Sequence, residues 1–218
     1  MKTILHHTHE RAGFTLIESL IAVTFLALMF LAVAQTSSRA SDAFDEGSAD
    51  HQLSTSTHRA LERITREVEF ASAASLGANP IAFPNEGDSI TFQTQPTFVG
   101  GAVQWLPVQL FSELDTGELD DGVDNDGDGL VDERRVVMVE SPGTPDEHRM
   151  VLASSVAELL EGEQENTADD NGNGLKDEGG LSLCWQGSVL FVRLTCQRRD
   201  EGGRLLVKTA ETAVRPYN

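Results

Sequence analysis

With 218 residues the chain has the length of one ordinary domain plus a further segment, and its formal charge is −19. A surface of 16 basic against 35 acidic residues repels phosphate backbones, so no nucleic-acid partner is expected and a DNA-uptake role is disfavoured. The acidic balance suits cation binding instead.

In chain order, Lys2 and Arg11 form a short basic leader that closes on the small pair Ala12-Gly13. From Phe14 to Ala34 the sole ionisable group is Glu18. About 20 apolar residues in a helix, at about 1.5 Å each, cross a hydrocarbon layer ~30 Å thick. A carboxylate in that layer costs roughly 2.5–3.5 kcal/mol on insertion scales, so it needs a partner and a task. No basic residue lies within helical reach downstream. A secretory signal carries its small-residue cleavage site after the apolar stretch; here the small residues stand before it. Cutting after Gly13 would leave the whole apolar helix on the mature chain, starting with a new amine on Phe14, one turn from Glu18. Such an amine and carboxylate can also pair between neighbouring chains, which would bundle the helices in a set stagger. Removing the leader (Lys2 and Arg11 against Glu10, net +1) takes the charge from −19 to −20. His6, His7 and His9 look like a metal cluster but fall in the leader and would be discarded with it.

At "GFTLIE" (Gly13 to Glu18) the chain resembles the class III signal of type IV pilins and type II secretion pseudopilins. The resemblance implies that a prepilin peptidase cuts between Gly13 and Phe14 and methylates the Phe14 amine. It implies that Glu18 neutralises the amine of an adjacent pilin as the helix leaves the bilayer for a filament. It also implies a single-pass protein of the bacterial inner membrane, with an extracytoplasmic head and other pilins or pseudopilins as partners.

The helix is expected to continue past the anchor. "HRALERITREVEFASAASL" sets Leu61, Ile64, Val68 and Ala71 three and four apart, an amphipathic stripe, with Glu62 and Arg66 on the opposite face. One helix is predicted over about 15–75, loosened near Gly47 and ended by Gly77 and Pro80. The expected divisions are a leader at 1–13, a transmembrane or filament-core helix at 14–36, an amphipathic helix at 37–76 and a β-rich head at 77–218.

From Asp88 the pattern turns to strand. "DSITFQ", "AVQWLPVQLF", "RRVVMVE" and "HRMVLAS" are short apolar or mixed runs. "LSLCWQGSVLFVRLTCQ" reads as two strands around Gln186-Gly187, and "GGRLLVKTAETAV" as the last strand. The fold class is therefore α+β, a long N-terminal helix packed on an antiparallel sheet. The segments "ALERITREVEFA", "RMVLASSVAELLE" and "TAVRPYN" resemble the pseudopilin J and minor pilin W group. Many major pilins carry a helix-loosening Gly and Pro where this chain has Ala27 and Gln35, which points to a minor subunit.

Two acidic segments are inserted in the head. "ELDDGVDNDGDGLVDE" (118–133) and "EQENTADDNGNGLKDE" (163–178) align without gaps at an offset of 45, the distance from Glu118 to Glu163. In the first, Asp124, Asp126, Asp128 and Gly129 open a calcium loop of EF-hand type. A hard cation takes six to eight oxygens at roughly 2.3–2.6 Å, and alternate carboxylates on a tight turn converge on one point. Leu130 then offers a carbonyl at the seventh position, and Asp132 stands at the ninth. In the second, Asp169, Asn171, Asn173, Leu175 and Asp177 fill the same places. The bidentate acid expected at position twelve is replaced by Arg135 and by Gly180, so further oxygens are needed, for instance from Glu133, Asp121 or Glu118 and their counterparts. The second loop, with two amides for carboxylates, is expected to hold calcium more weakly. A structural calcium ion would offset the repulsion of acids crowded between Glu113 and Glu133. A solvated acidic turn is the simpler alternative, since Asp, Asn and Gly dominate turns. No flanking helices are evident, so an isolated loop between strands suffices.

Cys184 and Cys196 are read as buried thiols, because a turn at Gln186-Gly187 places Cys184 opposite about Val189, far from Cys196. Trp105 and Trp185 are read as core. There is no G-x-S-x-G, P-loop or dinucleotide fingerprint, and the chain is read as a non-enzyme. Three functions stand: a minor pseudopilin or minor pilin with a calcium-stabilised head, a calcium-dependent adhesin-like head at a pilus tip, or an unassembled membrane-anchored calcium-binding protein.

Overall fold

The computed structural model describes residues 15–76, 81–99 and 102–216. The predicted processing pair, Gly13 and Phe14, lies outside the described residues. The chain divides into two units, Met1–Glu46 and Gly47–Asn218.

In the first unit the described residues form the opening part of helix α1 (Leu16–Glu69). Its start follows from a capping box. Thr15 Oγ1 accepts the N–H of Glu18 at 3.3 Å, and the Glu18 carboxylate accepts the Thr15 N–H at 3.1 Å. Two N–H groups that a helix end leaves orphaned are thereby satisfied. The apolar side chains that follow are exposed, and the stretch, with mean hydropathy 2.5, is long and apolar enough to cross a membrane.

In the second unit the rest of α1 supplies one wall of the core. Gly47 is helical, where a loosening was expected. Leu61, Ile64 and Val68 are at most 4 % exposed, as the stripe predicts, and Leu53, Thr57 and Ala60 extend it upstream. Burying each large aliphatic side chain stabilises the fold by about 1.5–3 kcal/mol. The helix ends at Glu69, earlier than expected. The Ser72 N–H donates to the Gln93 carbonyl at 2.9 Å, so the sheet takes the group that another helical turn would need. A short helix α2 (Ala73–Leu76) follows and buries Leu76.

Among the described residues, seven antiparallel strands face this helix: β1 (Ser89–Val99), β2 (Ala102–Leu114), β3 (Arg134–Glu140), β4 (His148–Val156), β5 (Leu181–Gln186), β6 (Val189–Arg199) and β7 (Leu205–Val214). Their order is β1-β2-β3-β4-β6-β5, with β7 on the other edge of β6. β4 meets β6 through one pair, Val156 with Cys196. Period-two alternation sends Val108 and Leu110 of β2 into the core. The same alternation corrects the reading of Trp105, which lies on the other face and is 46 % exposed; Trp185 is partly buried against the core.

The β5–β6 turn is Gly187-Ser188, with Gln186 opposite Val189, so Cys184 pairs with Phe191 rather than Val189. Both thiols are buried and free, and burial pushes both up from the ordinary thiol range. The two acidic segments sit between strands, the first joining β2 to β3 and the second joining β4 to β5.

Candidate metal centre

Each acidic segment is closed at its base by one backbone hydrogen bond. Asp115 N–H donates to the Glu133 carbonyl at 2.9 Å, and Leu160 N–H to the Glu178 carbonyl at 2.8 Å. The duplication therefore extends upstream to Asp115 and Leu160, three residues beyond what the aligned sequence suggests.

Inside that frame the loops share most of their bonds. Asp124 accepts from Gly127 at 2.6 Å and Gly129 at 2.9 Å; Asp169 accepts from Gly172 at 2.6 Å and Gly174 at 2.9 Å. Asp128 Oδ1 takes the Leu130 N–H, and Asn173 Oδ1 takes the Leu175 N–H, both at 2.8 Å. Such local side-chain to backbone bonds are what make Asp and Asn turn formers. Leu130 and Leu175 are buried at 5 % and 1 %, anchoring each loop to the head.

A buried glutamate frames each loop. Glu118 Oε1 accepts the N–H groups of Asn125 and Asp126 at 3.0 Å each, and its Oε2 accepts Asp132 N–H at 3.3 Å. Glu163 does the same with Asn171 at 3.1 Å and Asp177 at 3.2 Å. Asp132 and Asp177, the predicted ninth-position ligands, have carboxylates that hold another turn. Asp132 accepts from Asp121 and Gly122, and Asp177 from Asn166 and Thr167. Both sit at positive φ, 49° and 51°.

Two carboxylate sets converge in the first loop. Ligand atoms of Asp124, Asp126 and Asp128 lie within 4.8 Å of one another, and so do those of Glu118, Asp126 and Glu133. Asp126 belongs to both. Glu133 is 2 % exposed and its Oε2 has no hydrogen-bond partner. Its carboxyl is pushed up to about 7, first by burial and then by the negative charges of Asp128, Glu118 and Asp126. This acidic cluster could hold a metal ion. Glu178 repeats the pattern, fully buried and with Oε2 unpartnered.

The predicted residues Asp124, Asp126 and Asp128 are thus brought together, while the Arg135 side chain goes elsewhere, to Glu113 at 2.8 Å. Glu158 lies close to both loops, its carboxyl raised first by burial and then by Asp120 and Asp132, with Glu165 adding to it. Two contacts had no signal in the sequence because they come from distant chain. Arg199 Nε donates to the Gly129 carbonyl, and the Phe83 ring seats on Gly174, where a Cβ would stand 2.9 Å from it.

Compared with models of known protein families, with curated proteins and with solved structures, the chain matches none.

Proposed function

We propose that the chain is a minor pseudopilin or minor pilin, a structural subunit of a type II secretion pseudopilus or type IV pilus, whose head is stabilised by calcium in its first acidic loop. The observation that carries this reading is Glu18. It is the one ionisable group between Phe14 and Ala34, it stands in the first turn of α1, and it follows the Gly13-Phe14 pair. The capping box with Thr15 gives that carboxylate a local use, but its charge is costly in an anchor alone, whereas a helix that must dock beside the amine of another subunit gives the charge a partner. The antiparallel head with a helix across its core is the second support. The implied partners are a prepilin peptidase, other pilins or pseudopilins and the inner membrane. The test is mass spectrometry of the mature N-terminus: a chain starting at N-methylated Phe14, and left uncut in cells lacking the peptidase, carries the reading, and an uncut chain in normal cells overturns it.

A calcium-dependent binding head at a pilus tip is a second reading. It is favoured by three exposed apolar side chains on the first acidic loop, Leu119, Val123 and Val131 at 59 %, 55 % and 42 %. Replacing all three with Ser and measuring surface adhesion at unchanged filament number separates it from the first.

A further inference from the structure

The two loops share most of their backbone bonds, and one side-chain bond at the buried glutamate separates them. In the second loop Asn173 Oδ1 is committed to the Leu175 N–H, which turns its Nδ2 toward Glu178, and that amide donates to Glu178 Oε1 at 2.5 Å. The first loop holds Asp128 in place of Asn173, with its Oδ1 on the Leu130 N–H and Glu133 in the place of Glu178. A carboxylate has no proton to give, so Glu133 lacks the amide donor that Glu178 has on Oε1, while Oε2 is buried without a partner in both glutamates.

We infer that the first loop is a calcium site closed by Glu133 at its tenth position, and that in the second loop the Asn173 amide stands where the first needs the cation. The inference rests on the calcium reading above and goes further, to the closing ligand and to one ion per chain.

Three observations carry it. Glu133 is 98 % buried by its 2 % exposure, unpartnered at Oε2, and within 4.8 Å of the Asp126 and Glu118 oxygens, so it is aimed into the acidic set. An unpaired carboxylate in such a place is costly unless a cation or donor meets it. The other acids near it have work to do. Asp132 stands outside both converging carboxylate sets and holds two backbone N–H groups, and Glu118 holds three, one more than Asp124, which assigns both to the frame. The ligand set is then Asp124, Asp126, Asp128, the Leu130 carbonyl and Glu133, oxygen ligands throughout as a hard cation prefers. Position twelve is closed to an acid in the second loop, because a Cβ on Gly180 would lie 1.8 Å from the Ala157 carbonyl oxygen.

The experiment is calcium titration of the full chain in detergent micelles, followed by calorimetry and native mass spectrometry, with thermal melts in chelator alongside. The wild type is expected to take up one calcium ion at low concentration. Asp128→Asn is expected to weaken that binding by about 100-fold, since it removes a ligand charge, and to raise the melt in chelator by giving Glu133 a donor. Glu133→Gln is expected to weaken binding while its melt in chelator holds or rises. Asn173→Asp is expected to add a second ion and to lower the melt in chelator. Two ions bound by the wild type with similar affinity, or a Glu133→Gln chain that binds like the wild type, would overturn the inference while leaving the calcium reading intact. A wild type that takes up no calcium overturns both.

Discussion

Glu118 accepts the backbone N–H of Asp132, and Asp132 in turn accepts the N–H groups of Asp121 and Gly122 at 3.1 and 2.8 Å. The two buried acids form a relay that ties the entry of the first loop to its exit. Asp132→Ala strands two backbone donors and places a residue with no capping oxygen at φ 49°. The expected loss is about 1–3 kcal/mol, and it should be present in chelator as well as in calcium. Urea unfolding under both conditions checks it. A loss seen in calcium alone would make Asp132 a ligand and not a strut.

The raised Glu133 carboxyl predicts a pH dependence in the metal-free protein. Its native value is about 7 against an ordinary 4.5, so between these values the native state holds a proton that the unfolded state has released. Stability contributed by the neutral form is complete below the ordinary value and is lost as pH rises toward 7, levelling off above it. The groups facing Glu133 are Asp128, Glu118 and Asp126, all acidic, which keeps the sign the same. In chelator the melting temperature should therefore fall from pH 5 to pH 7.5, and Glu133→Gln should flatten the fall. Excess calcium should reverse it, because the ion needs the ionised carboxylate. A Glu133→Gln chain with the wild-type slope would count against Glu133 as the source.

Much of the architecture was legible because it follows from period. Leu61, Ile64, Val68 and Ala71 are all core residues, and each predicted strand is present. The end of α1 was not legible, since the Ser72–Gln93 bond that stops it depends on a strand distant in the chain. Trp105 was misread because aromatic residues on strands favour the core, whereas its parity with Phe111 puts it on the outer face. In the acidic loops the gapless alignment also holds a swap of side-chain donors. Asn125 donates its amide to Asp121, and Asn166 donates its amide to Asp170. The donor stands at the eighth aligned position in the first copy and the fourth in the second, an exchange visible in the sequence once the contact is known. The Asn173–Glu178 bond was hidden for a different reason: nothing in the sequence says which way an amide faces until Leu175 claims its oxygen.

Glu18 has a local role as well as the proposed one, and the two can be separated. Its carboxylate bonds Thr15 N–H and the Thr15 hydroxyl, at 3.1 and 2.9 Å. Thr15→Ala removes the hydroxyl partner and weakens the cap while keeping the Glu18 charge. If Glu18 serves only as a cap, Thr15→Ala and Glu18→Ala should impair the protein alike. If it docks on the amine of a neighbouring subunit, Glu18→Ala alone should remove the protein from sheared filaments or abolish secretion, with both chains present in the membrane at equal amount. Quantitative immunoblotting of the sheared and envelope fractions reads the difference.

Gly180 explains why the second loop stops where it does. Its N–H donates to the Glu158 carbonyl at 2.9 Å, and its carbonyl accepts from Thr195 at 2.7 Å, which draws it onto the chain at Ala157. A Cβ here would stand 1.8 Å from the Ala157 carbonyl oxygen and 2.8 Å from the carbonyl carbon, both backbone atoms that no rotamer change can move. Gly180→Ala must therefore push β5 away from the β4 exit, with a cost of at least about 2 kcal/mol of overpacking strain. Gly172→Ala on the same loop meets nothing within 4 Å and carries the backbone cost of its positive φ of 78° without the clash. Melts of the two variants should rank Gly180→Ala as the more damaging, and Gly180→Ala should resist rescue by calcium because its strain lies in the sheet junction and not in the acidic loop. Equal losses, or recovery of Gly180→Ala in calcium, would mean that the β4–β5 junction can yield.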